Sequence, residues 1–261
     1  MTKQEIMNTL KGDYNALVKK GYNLFGVFLF GSQNYGLDDE NSDIDIKAIY
    51  LSKEGKDAPS SFGNVFISTG IFERSETEGQ INAMLPEVFI SNLLLNYHTW
   101  FELLYTDYYI INPKYSSVWN EILTLREKIA KQDKYSFMDA QLNCIVDQFP
   151  QAIAGNDLAL INKRLSTFYR LKFLVEKYAL DFPYEWCLTP TEEEKEFLLN
   201  LKKQAQYMDS ECQEQTKQII QDMTKTISQY KETYEDVKDY SALEKIKQLL
   251  SVVGEEGNGT I

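Results

Sequence analysis

FLFGSQNYGLDDENSDIDIKAIYL (28–51) consists of two apolar segments joined by a polar, turn-rich one. LFGVFLF (24–30) reads as a buried strand, and GSQNYGLDDENS (31–42), with glycines among Asp, Asn and Ser, as the turn that follows it. DIDIKAIYL (43–51) alternates. Ile44, Ile46, Ala48 and Tyr50 fall on one face and Asp43, Asp45 and Lys47 on the other, the pattern of a half-buried strand. Aspartate is depleted in strands, so a pair of them in one strand needs a reason.

A phosphate and metal site supplies that reason. Gly31 lets the backbone turn tightly and approach a ligand. Ser32 offers a hydroxyl and an amide at an expected helix start, where phosphate oxygens bind well. Asp43 and Asp45 are two apart on a strand, so both carboxylates point to one side. Such a pair can hold Mg²⁺ ions about 4 Å apart, which orient a triphosphate. A plain turn leading into a solvated strand edge is the competing reading, and it leaves the acid pair unexplained.

Working outward, residues 3 to 20 carry an uneven helical pattern that Gly21 stops. Residues 52–64 read as a loop, 65–72 and 74–85 as two further strands, and 85–106 as apolar at helical spacing, in two short helices. Beyond Tyr115 the pattern is helical, with capping boxes at Thr191/Glu194 and Ser241/Glu244. Residues 254–261 read as a polar, frayed tail. The expected fold class is α+β: a small mixed β-sheet core with flanking helices over 1–115, then a helical region over 116–261.

The chain has 261 residues, 43% of them hydrophobic, enough for a sizeable core. Its net charge of −12 argues against bulk coating of nucleic acid, which needs clustered Lys and Arg, but suits cationic small molecules. No apolar run reaches membrane-spanning length and the N-terminus has no apolar signal core, so the expectation is no membrane partner. Cys144, Cys187 and Cys212 are too few and too scattered for a disulfide framework or a zinc site, so a cytoplasmic location is expected. His98 is the single histidine, expected to pack or cap a helix junction, which disfavours a histidine base. Tyr35 is expected to pack the loop, Ser42 either to order the acid pair or to serve the turn, and Lys47 to form a salt bridge.

The pattern Gly-Ser-x-x-Tyr-Gly followed by Ser-Asp-x-Asp, here Gly31, Ser32, Tyr35, Gly36, Ser42, Asp43 and Asp45, resembles the nucleotidyltransferase superfamily of DNA polymerase beta, in its bacterial and phage branch. The likeness extends through FELLYTDYYIINPKY (101–115) and NKRLSTFYRLKFLVEKYALDFPYEWCL (162–188). It implies a catalytic-type domain over 1–115 and a helical domain over 116–261 closing over the nucleotide. It also implies a metal-dependent enzyme with Mg²⁺ or Mn²⁺ as cofactor. Such an enzyme moves a nucleoside monophosphate from an NTP to an acceptor hydroxyl on an RNA end, a protein or a small molecule. Asp43 and Asp45 would hold the metal, Gly31 and Ser32 the β- and γ-phosphates, and Lys163 and Arg170 would offset triphosphate charge.

The chain also departs from the family pattern. The third carboxylate, which binds metal and often acts as base, is expected at Gln80, whose amide cannot take a proton. Glu78, or Glu76, two or four residues away on the same strand face, is the candidate replacement. Thr167 stands where a histidine is expected. The alternative is therefore a catalytically weak or inactive relative that binds a nucleotide or a protein, such as a phage sensor or inhibitor.

Overall fold

Strands β1 (Tyr22–Phe30) and β2 (Asp45–Lys53) form the antiparallel centre of the sheet, in a register that pairs Val27 with Ala48 and Phe30 with Asp45. The computed structural model describes residues 2–38, 42–53, 70–73, 80–153, 158–203 and 209–258. β3 (Gly70–Glu73), β4 (Gln80–Met84) and β5 (Tyr109–Ile111) complete a five-stranded sheet in the order β3-β4-β2-β1-β5. β2 and β4 run parallel and the other pairs antiparallel, so the sheet is mixed, and the fold is α+β as expected. The edge strand β5 was not anticipated. At three residues it is too short to show a period.

By spatial grouping the chain forms two compact units: Met1–Asn34, Asp38–Ile129 and Asp239–Ile261 in the first, Tyr35–Leu37 and Ala130–Lys238 in the second. Residues 116–129 and the C-terminal helix thus cluster with the sheet rather than with the helical region, unlike the division expected at Tyr115.

In the first unit, α1 (Lys3–Lys19) begins at a reciprocal cap in which Thr2 and Glu5 satisfy each other's free amides, and ends before Gly21, whose φ is +85°. Its Ile6, Leu10 and Leu17 join Val27, Leu29, Ile46, Ala48 and Ile81 in one core layer. On other positions of β1, the Phe25 and Phe28 rings lie 6.1 and 4.9 Å from Trp119 of α4 (Ser116–Ala130). α2 (Pro86–Leu94) and α3 (His98–Tyr105) form the two short helices expected over 85–106, and they pack on β2 and β1 respectively. β2 is consequently buried through Lys47 and Ile49 as well as Ile46 and Ala48. The half-buried strand read from its alternation is corrected, because an α-helical layer covers the side taken to be open.

The second unit contains α5 (Lys134–Ile153), α6 (Leu158–Ala179), α7 (Tyr184–Leu188), α8 (Glu192–Lys203) and α9 (Asp209–Thr233). α6 is its hub, packing on α5, α7, α8 and α9, with Leu165, Phe168, Leu171, Val175 and Tyr178 buried at helical spacing. Asp133 accepts from the Ser136 amide to cap α5, and Thr191 with Glu194 forms the expected capping box of α8. In the first unit, α10 (Ser241–Asn258) packs on α2 and β2 and stays helical to Asn258, so the frayed tail expected from 254 is corrected. Among the described residues no helix is long and apolar enough to cross a membrane.

Candidate functional site

The register of β1 against β2 brings the bend and the acid pair together. Phe30 pairs with Asp45, so Gly31, the next residue, turns beside that carboxylate with φ at +87°. A Cβ on Gly31 would stand 3.4 Å from Asp45 Oδ2. Ile44 and Ile46 enter the core, Asp43 is exposed and Asp45 is partly so. The alternation read from the sequence therefore holds across 43–46, although regular strand structure begins only at Asp45.

Ser32 opens a four-residue 3₁₀ turn, Ser32–Tyr35, rather than an α-helix. That turn is fastened from several sides. The Asn34 amide donates to Gly31 O (3.1 Å), the Asn34 side chain donates to Leu29 O (3.0 Å), and the Thr106 hydroxyl donates to Asn34 Oδ1 (2.7 Å). The Gly31 N–H donates to Glu102 Oε2 at 3.2 Å, so this amide is engaged within the protein.

Glu102 on α3 was not anticipated as part of the site. It is buried at 2% exposure, and its other oxygen lies 4.0 Å from His98 Nε2. Lys47 lies in the same interior. Its ammonium donates to Thr99 O at 2.7 Å and lies 4.3 and 4.1 Å from the ring centres of Phe30 and Trp100. Burial pulls the Lys47 pKa down to about 7, against the opposing attraction of Glu102 and then Asp45. Lys47 is expected in a salt bridge, but its contacts are a carbonyl and two aromatic rings. The available sequence signal was Glu102 itself, a charge set in the apolar run WFELLY. His98 opens α3 and is buried, as expected of a packed histidine at a helix junction.

Lys163 and Arg170 belong to the second unit, Asp43 and Asp45 to the first. Lys163 is exposed on α6, and the Thr167 hydroxyl one turn along donates to its carbonyl. The Arg170 guanidinium lies 4.4 Å from the centre of the Tyr35 ring, and Tyr35 is buried. Tyr35 thus packs, as expected. Within the same unit Lys202 Nζ donates to Leu37 O.

Glu78 and Glu76 lie outside the described residues. β4 begins at Gln80, and the parallel register that pairs Ile46 with Ile81 carries the Gln80 backbone alongside Asp45. Among the described residues no group of three or more His, Cys, Asp or Glu side chains gathers to hold a metal. Asp43 and Asp45 are hard oxygen donors with solvent access, a pair that suits Mg²⁺ or Mn²⁺ completed by water and phosphate oxygens. No protein-family model matches the chain, and no curated protein matches it in sequence.

Proposed function

We propose that this chain is a metal-dependent nucleotidyltransferase. The observation that carries the reading is the left-handed Gly31 turn set directly against the Asp45 carboxylate, with Asp43 two residues before it. Mg²⁺ or Mn²⁺ held by Asp43 and Asp45 would neutralise and orient the triphosphate. Ser32 supplies its hydroxyl and amide to the β- and γ-phosphates. Gly31, its own amide committed to Glu102, contributes the bare Cα that lets a ligand come close. The acceptor hydroxyl gives its proton to the third carboxylate as its oxygen bonds to the α-phosphorus, the bond from that phosphorus to the α–β bridging oxygen breaks, and pyrophosphate leaves. Lys163 and Arg170 are the cations assigned to triphosphate charge on the strength of the family resemblance. Glu78, two residues from the position where the resemblance expects the third carboxylate, is the candidate for that role.

The test is binding and turnover of each labelled NTP with Mg²⁺ or Mn²⁺. Failure to bind any of them overturns the reading. Nucleotide binding without turnover is the second reading, favoured by Gln80, the residue just before the Ile46–Ile81 rung, standing where the resemblance expects a carboxylate. Release of pyrophosphate separates the two.

A further inference from the structure

Glu102 poses a physical problem. A carboxyl group at 2% exposure loses most of its hydration, which disfavours its burial unless the protein supplies hydrogen bonds. The structure supplies a hydrogen bond and a polar neighbour: Gly31 N–H donates to Oε2, and His98 Nε2 stands 4.0 Å from Oε1. The hydrogen bond spans 71 positions in sequence and ends on the one residue whose φ of +87° aims the chain past Asp45. Sheet pairing stops at Phe30, so the ladder does not hold the Gly31 amide.

We propose that Glu102 is the positioning residue of the bend: it holds the Gly31 amide inward and so keeps the glycine turn, Ser32 and the Asp45 carboxylate in one fixed arrangement. The inference rests on the reading that the bend and the acid pair form one site. Glu102 touches neither nucleotide nor metal in this scheme and acts through Gly31. His98 packs beside the other oxygen of the carboxyl group. An outer partner of this kind tunes a site by orienting the groups that bind the ligand.

The experiment compares the full chain with Glu102→Gln and Glu102→Ala by hydrogen exchange of the Gly31 amide and by titration with Mn²⁺ alone. Gln retains an acceptor oxygen and Ala does not. The expected result is slow Gly31 exchange in the parent and in Glu102→Gln, and fast exchange in Glu102→Ala. Mn²⁺ affinity is expected to fall about tenfold in Glu102→Ala and to be largely retained in Glu102→Gln. If Glu102→Ala does not fold, Glu102→Asp, which withdraws the oxygens by one methylene, gives the same comparison. Unchanged Gly31 exchange in the Ala or Asp variant overturns the inference, and so does unchanged Mn²⁺ affinity there. A parent chain that binds no Mn²⁺ sinks the nucleotidyltransferase reading instead, and the Gly31 exchange comparison then still decides whether Glu102 holds the bend.

Discussion

A Cβ on Gly31 would stand 3.4 Å from Asp45 Oδ2, at a backbone φ of +87°. The bend and the second acid of the pair are therefore one geometric object, held by the last rung of the β1–β2 ladder, Phe30 opposite Asp45. A side chain at position 31 would meet backbone strain and would stand in van der Waals contact with the carboxylate.

Gly31→Ala is expected to lower stability by about 1–2 kcal/mol, because a non-glycine residue is strained in the left-handed region. Urea unfolding measures this. Metal titration of the same variant should show weaker Mn²⁺ binding, since the space beside Asp45 narrows. Unchanged stability would refute the strained turn.

Asp43→Asn and Asp45→Asn should abolish Mg²⁺-dependent NTP binding. Asp43 is exposed, so its substitution should leave stability within about 0.5 kcal/mol of the parent. Isothermal titration with each NTP, beside a thermal melt, checks both halves. Metal-dependent binding that survives in both variants removes the acid pair from the site.

Lys47 predicts a pH dependence for the metal-free protein. Its folded pKa is about 7, below the ordinary 10.5, with burial as the main cause and with Glu102 and Asp45 opposing it. Between those two values the unfolded chain binds more protons than the folded one, so stability rises with pH across that window. Below pH 7 the penalty is fully present. Lys47→Met should remove this slope, as urea unfolding in EDTA at pH 6.5, 8 and 9.5 (values on the order of one to two units apart) will show. Equal slopes in parent and variant would contradict the buried cation.

Arg170 and Lys163 should separate in their effects. Arg170→Ala removes the guanidinium over Tyr35 and is expected to cost about 0.5–2 kcal/mol of stability, which Lys at that position would not fully restore. Lys163→Ala, at an exposed position, should leave the melt unchanged and weaken NTP binding. A Lys163→Ala variant with parental NTP affinity takes that residue out of the proposed site.

The turn and the acid pair were legible in residues 28–51 because everything that makes them is local: an apolar run, a glycine, a polar bend and an alternating strand. The same locality explains what was misread. Alternation shows that β2 has two kinds of face, but not that helices cover the polar one, so a salt bridge is the reading it gives for Lys47. The Tyr109–Ile111 strand carries no period of its own and exists only because β1 offers an edge. α10 continues to Asn258 despite a polar, glycine-containing end, as a helix that packs on α2 and β2.

Amino-acid order alone determined the α+β class, the Gly31 turn and the presence of paired carboxylates after it, since these depend on neighbours a few positions apart. Only the folded chain decided that Asp45 lies against Gly31, that Glu102 takes the Gly31 amide, and that Lys47 is buried with its ammonium near the Phe30 and Trp100 rings. The reason is physical: strand pairing and helix packing choose partners tens of residues apart by burying surface, and no local period encodes that choice.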